Sequence, residues 1–268
     1  MTCVSANGVE LDCDASGSGE AVVFVHGAGF VDAFLPLTSE PSMRDHYRAI
    51  RYSRRGHAGS SHTTGQVAIA DHAADCRGLL AALGVEKAHV VGHSYGGCVA
   101  LRLASDAPDV VLTLALFEPA LLNVPSGRQF GENLAAIMQK YGAGDRAGAC
   151  DAFYTLAGGP DWRVEVSRTI PGGPEQAAQD VATLFESDLP SLAAWQFGAE
   201  EAARIHQPVL CLVGAETAPL FGEGRDLVHS WLPQTEDGVV PAANHLLQVQ
   251  QPAAAALLLA DFLKRHRA

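Results

Sequence analysis

Apolar residues in this chain fall into short continuous runs bounded by turn signals, with longer stretches of helical spacing between them. Residues 3–15 hold Asn7-Gly8 between two short alternating segments, which predicts a β-hairpin. Ala21-Val22-Val23-Phe24-Val25 is an unbroken apolar run, as expected of a strand buried on both faces of a parallel sheet, and it ends at His26-Gly27-Ala28-Gly29. Residues 47–52 predict a weaker strand, ended by Arg54-Arg55-Gly56-His57. Over residues 66–83, Ile69, Ala73, Cys76, Leu79, Leu80 and Leu83 recur at helical spacing, and Gly84 supplies the stop. Further strands are predicted at 87–92, 110–117, 208–213 and 234–240. A terminal helix is predicted over 251–267, where its basic end suits the helix dipole.

This alternation predicts an α/β protein with a mostly parallel, doubly wound sheet. Residues 121–205 break the pattern, with helix-like pieces at 127–141, 146–156 and 174–187, separated by Gly and Pro, and no strand. The expected organisation is a core of residues 1–120 and 206–268, with residues 121–205 inserted before the penultimate strand as a helical lid.

Composition narrows the class. With 268 residues, 48% hydrophobic and 18% charged, one α/β domain with an insertion can bury a large core. The net charge of −12, without a basic stripe, argues against a nucleic-acid partner. Six scattered cysteines show no CxxC pair and no metal-ligand spacing. Cys98 and Cys211 lie in apolar stretches, where free cysteine acts as a small core residue. The expectation is reduced thiols in a cytoplasmic protein, with no metal and no organic cofactor. Residues 1–6 lack a signal-peptide pattern, and the Ala/Leu-rich stretch 252–259 is too short to span a bilayer, so no membrane partner is expected. Oligomeric state is left open between monomer and homodimer.

The chemistry centres on Gly92-His93-Ser94-Tyr95-Gly96-Gly97. Alone, GxSxG is weakly specific, but here an apolar strand precedes it and a helical pattern follows, the context of a tight turn that projects a serine hydroxyl from the sheet. Ser94 is the candidate nucleophile. The following helix start presents backbone N–H groups, and the N–H groups of Tyr95 and of Ala28 in the first glycine loop are the candidate oxyanion hole. A serine hydroxyl needs a base, which lies late in the chain when the order is Ser, acid, His. His245, in Asn244-His245-Leu246-Leu247 before the terminal helix, fits. His26 and His93 read as loop braces, and His57, His62, His206, His229 and His266 as ordinary surface or loop residues.

With these motifs in order, the chain resembles the α/β-hydrolase superfamily over nearly its whole length. The likeness rests on the HGxG loop, the Arg55-Gly56-His57 turn, the GHSYGG elbow, the insertion and the Asn244-His245 loop. It specifies fold and nucleophile but not substrate. Most members carry an Asp three residues beyond the glycine that ends the penultimate strand, and here that glycine is Gly214 and the position holds Thr217. The alternative acid position, after the preceding strand, holds Glu118 in Leu116-Phe117-Glu118-Pro119. Glu118 is the favoured acid and Glu216 the competitor. A Ser–Glu–His set of this layout is similar to that of zearalenone-type lactonases, in triad arrangement and not in substrate.

The resemblance implies a serine hydrolase acting on a small-molecule carboxylic ester or lactone through an acyl-enzyme. Trp162, Trp195 and Phe153 are candidate pocket aromatics from the insertion. Competing expectations on the same triad are C–C bond hydrolysis, cofactor-free perhydrolysis, or a small-molecule receptor with slow turnover. An Asp nucleophile, used by dehalogenases and epoxide hydrolases of this fold, is not expected, because the elbow carries Ser94.

Overall fold

The computed structural model describes residues 2–267. Eight strands form one sheet: β1 (Thr2–Ala6), β2 (Val9–Ser16), β3 (Glu20–Val25), β4 (Tyr47–Tyr52), β5 (Ala88–His93), β6 (Val111–Phe117), β7 (Val209–Gly214) and β8 (Thr235–Val240). Their order across the sheet is β1-β2-β4-β3-β5-β6-β7-β8. The hairpin β1–β2 is antiparallel and joins β4 antiparallel, and all other neighbours run parallel. Every residue of β5 and β7 is buried, and so is every residue of β3 except Glu20. Burial on both faces is why β3 and β7 read as continuous apolar runs rather than as alternation, while β5 buries His89 and His93 among its apolar residues.

Two apolar layers enclose the sheet. One face, including Val23, Val90, Leu114 and Cys211, packs with helices Ile69–Ala82, Tyr95–Asp106 and Pro219–Trp231. The other, including Phe24, Val91, Phe117 and Leu212, packs with Leu35–Thr38, Pro41–Arg44 and Pro252–Arg265. At about 1.5–3 kcal/mol per fully buried large apolar side chain, these layers supply the main driving force for folding.

Predicted strand ends agree with the structure to within one or two residues. Helix Pro219–Trp231, missing from the sequence reading, packs Leu220, Phe221 and Val228 inward. Between β6 and β7 there are only helices, beginning with Gly127–Gly142 and Arg146–Gly158. The single helix expected at 174–187 is instead broken into Gly173–Gln179, Val181–Thr183 and a π-helical turn at Leu184–Asp188, before Leu189–Ala194. The widened turn buries Ser187 and Asp188 against the core.

Candidate active site

Strand β5 ends at His93 and a helix begins at Tyr95, so Ser94 occupies a one-residue turn with φ 53° and ψ −119°. The left-handed φ costs roughly 1–3 kcal/mol for a non-glycine residue and persists only when its surroundings hold it. Here Ser94 N–H donates to Phe117 O at 3.0 Å, and Ser94 O accepts from Gly97 N at 2.9 Å and Ala120 N at 3.1 Å. The flanking glycines are steric requirements. A Cβ on Gly92 would lie 2.3 Å from Gly96 O, and one on Gly96 would lie 2.1 Å from Val25 O. From residue 88 to 101, only Ser94 is not fully buried.

Glu118 follows β6 directly, also at positive φ (47°), and is fully buried. One carboxylate oxygen, Oε1, accepts from Gly214 N at 2.7 Å; the other, Oε2, accepts from Thr217 Oγ1 at 2.9 Å and faces His245 Nδ1 at 2.7 Å. Because a carboxylate only accepts, His245 donates from Nδ1, and in the neutral ring that tautomer puts the lone pair on Nε2. Glu216 is exposed to solvent, with its N–H bonded to Ala243 O.

The His245 loop is clamped from several sides. His93 Nε2 donates to His245 O at 2.8 Å. Phe221 stacks on the His245 ring at 3.8 Å between centroids and 9° between planes. Asn244 Nδ2 donates to Gly158 O in the insertion at 2.8 Å, while its Oδ1 accepts from Leu246 N. Burial, followed by the nearby His245, pushes His93 well below the usual imidazole range, so it serves as a neutral donor. The glycine loop after β3 comes close on the other side, where a Cβ on Gly27 would lie 3.2 Å from Ser94 Cβ.

A family model described as "alpha/beta hydrolase fold" matches residues 20–149. The chain has the α/β-hydrolase fold. Naproxen esterase from Bacillus subtilis superposes with a TM-score of 0.79 at 21% identity, over 98% of this chain and 90% of that one. The enol-lactonase from Burkholderia xenovorans LB400 superposes with a TM-score of 0.74 at 21% identity, over 98% and 100%. At such identities the likeness is one of fold. In sequence, the chain is 39% identical over 104 residues to the dihydrolipoyllysine-residue acetyltransferase component of the acetoin cleaving system of Cupriavidus necator, over 38% of this chain and 27% of that protein. The chain spans about half or less of the length of the curated relatives it matches.

Within the α/β-hydrolase fold, Ser94, His245, Ala28 and Phe153 line two adjoining pockets, the two lobes of the candidate site. The first lobe is bounded by Gly27, Phe30 and Tyr154 and the second by Tyr95, Leu122, Leu189, Leu192 and Phe221. Each lobe holds about 30 Å³, far below the roughly 300–1,000 Å³ of a typical small-molecule site, so the site is narrow in this structure.

Two of the three expected pocket aromatics are elsewhere. Trp162 is buried among Phe30, Tyr154 and Val166, with its indole N–H on Asp151. Trp195 stacks on Phe197 in a separate groove beside Trp231. Both are apolar residues on the packed side of their segments, and helical spacing alone does not tell a packed face from a cavity wall.

His57, expected as an ordinary surface or loop residue, lies in the loop after β4 but is fully buried, with Nε2 3.1 Å from Asp188 Oδ2. The acidic partner that permits this burial lies 131 residues away in the chain, beyond any local signal. The bracing expected of His26 and His93 is present: His26 Nε2 accepts from Arg54 N at 2.9 Å, and His93 holds the His245 carbonyl. Among the described residues no cluster of three or more His, Cys, Asp or Glu is arranged to hold a metal, no helix is long and apolar enough to cross a membrane, and the six cysteines are free thiols.

Proposed function

We propose that this chain is a serine hydrolase that cleaves an uncharged carboxylic ester or lactone through an acyl-enzyme on Ser94, with His245 as base and Glu118 as the triad acid. The observation that carries the reading is the 2.7 Å contact of Glu118 Oε2 with His245 Nδ1, beside a cavity that His245 shares with a serine on a strained strand-to-helix turn.

In the first half-reaction His245 Nε2 takes the Ser94 proton as Oγ bonds to the substrate carbonyl carbon. The oxyanion is held by the N–H groups of Ala28 and Tyr95, and the imidazolium is stabilised by Glu118. Collapse breaks the C–O bond, and the departing alkoxide takes the proton from His245. Water then repeats the sequence in reverse and releases the acid. The second lobe, walled by Leu122, Leu189, Leu192 and Phe221, favours an apolar acyl group over a charged one. Residues 121–205 serve as a lid over this cavity, contributing Phe153, Tyr154 and Leu189 to its walls. Opening of the lid admits substrate.

Intact-mass analysis after treatment with a fluorophosphonate tests the reading. Wild type takes up one label and Ser94→Ala takes up none. A folded wild type that stays unlabelled and turns over no ester or lactone overturns it, and leaves a binding role for the cavity.

A further inference from the structure

Arg54 follows β4 and is fully buried, as is its partner Asp188 in the π-helical turn of the insertion. All five guanidinium N–H groups have acceptors in a fixed fork. Nη2 meets Asp188 Oδ2 at 2.7 Å and Gly27 O at 3.2 Å, and also lies 3.2 Å from His57 Nε2, whose own carboxylate partner is Asp188 Oδ2 at 3.1 Å. Nη1 meets Asp188 Oδ1 at 3.1 Å and His72 Nε2 at 3.2 Å. Nε meets His26 O at 3.3 Å. The guanidinium carbon lies 4.4 Å above the ring of Tyr95. Burial opposes ionisation of Asp188, but the Arg54 guanidinium, with His57 beside it, outweighs it and holds the carboxyl well below its usual range.

A buried ion pair is a poor source of net stability, because desolvating both charges offsets their attraction. The contacts of Arg54 point to another role. Gly27 C=O and Ala28 N–H are the two ends of one peptide plane, and in a trans peptide they point in opposite directions. Gly27 O is held by Arg54 and also lies 2.7 Å from His26 Nδ1. His26 accepts from Arg54 N through Nε2, so its proton sits on Nδ1 and is donated to that carbonyl. Two donors therefore fix the carbonyl end, and the N–H end is aimed away from them. Charge drawn from the carbonyl also strengthens the N–H as a donor, since bonds in a chain polarise one another.

We propose that Arg54, held in place by Asp188 of the insertion, is a positioning residue for the oxyanion hole: it orients and polarises the Gly27–Ala28 peptide and steadies Tyr95. The inference rests on the hydrolase reading above. It makes the seating of the segment at 180–188 a condition for a competent oxyanion hole. The same segment is tied to the core by Thr183 Oγ1 on Gly56 O and by Asp180 accepting from Ala58 N.

Arg54→Lys tests it. A lysine keeps the buried charge opposite Asp188, but a single ammonium cannot serve Asp188 and both loop carbonyls. The expected result is a folded protein whose kcat on a 4-nitrophenyl ester falls on the order of 10²-fold with KM within about threefold, the scale of losing one oxyanion donor. Affinity for an alkyl trifluoromethyl ketone, which forms a tetrahedral oxyanion on the serine, falls by the same factor as kcat/KM. The pH midpoint of kcat/KM stays where it is, because Glu118 and His245 are untouched. A kcat within threefold of wild type, or a loss confined to KM with unchanged ketone affinity, overturns the inference. Should Arg54→Lys not fold, the double variant Arg54→Met/Asp188→Leu, which removes both charges together, carries the same expectation and the same overturning result. Fluorophosphonate labelling of wild type separates the two readings. No label and no turnover bring down the hydrolase reading and this inference with it. A labelled wild type with a fully active variant brings down the inference alone.

Discussion

Thr217 Oγ1 donates a 2.9 Å hydrogen bond to Glu118 Oε2, the same oxygen that meets His245 Nδ1. The residue standing where the resemblance would put an acid is therefore a support for a carboxylate that arrives from the neighbouring strand. Glu118→Gln should lower kcat by roughly 10³–10⁴-fold, since an amide can hold the imidazole in the wrong tautomer. Thr217→Val, which removes one of three contacts to the carboxylate, should cost less than about tenfold. Glu216→Gln should stay within about twofold. Thr217→Asp introduced into Glu118→Gln should restore part of the loss. Steady-state kinetics on one ester checks all four, and equal effects of the Glu118 and Glu216 changes would sink the assignment.

Buried histidines contribute to the acid sensitivity of stability, and of the four that burial lowers, His26, His72, His89 and His93, three are lowered furthest. Burial pushes His26, His72 and His93 well below the usual imidazole range, reinforced by Arg54 at the first two and His245 at the third. Each is neutral when folded but takes up a proton in the unfolded chain below about pH 6.5. The unfolded state thus binds more protons as pH falls, so this stability is present above about pH 6.5 and is lost below it. The limiting slope is about 1.4 kcal/mol per pH unit for one histidine that is fully protonated only in the unfolded chain. Urea midpoints at pH 7.5, 6.5 and 5.5 should show a plateau and then a steep fall. A midpoint that stays level down to pH 5.5 would contradict it.

Phe153 and Trp162 lie on successive helices of the insertion but face different surroundings. Phe153→Ala removes a wall shared by both lobes and should move the preferred acyl chain to longer esters, read as kcat/KM across a chain-length series. Trp162→Ala should destabilise the fold by roughly 3–5 kcal/mol with little change in that preference. Trp195→Ala should leave the chain-length profile as in wild type, and a shifted profile there would mean that the groove beside Trp231 communicates with Ser94.

Much of this architecture is legible along the chain because its signals are local. A strand covered on both faces is apolar at most positions, so β3 and β7 announce themselves, and β5 does so through Ala88, Val90 and Val91 although it also buries His89 and His93. The Ser94 turn announces itself because Gly92 and Gly96 have backbone where a Cβ would be. Helix Pro219–Trp231 was less visible, since its buried positions, Leu220, Phe221, Gly224 and Val228, mix large residues with a glycine.

The sequence by itself determined the sheet, the order of its elements, the serine turn and the loop carrying His245, because each follows from steric or solvation rules acting within a few residues. Only the tertiary structure decided which carboxylate reaches His245, since Glu118 and the histidine are 127 residues apart and meet because β6, β7 and β8 are adjacent in the sheet. It also decided that Phe153 rather than Trp162 or Trp195 faces Ser94, and that Arg54, His57 and Asp188 form one buried cluster. An apolar helical position reports that a side chain avoids water, and a buried charge must find its partner through space. Neither rule names the neighbour, and the neighbour is what packing supplies.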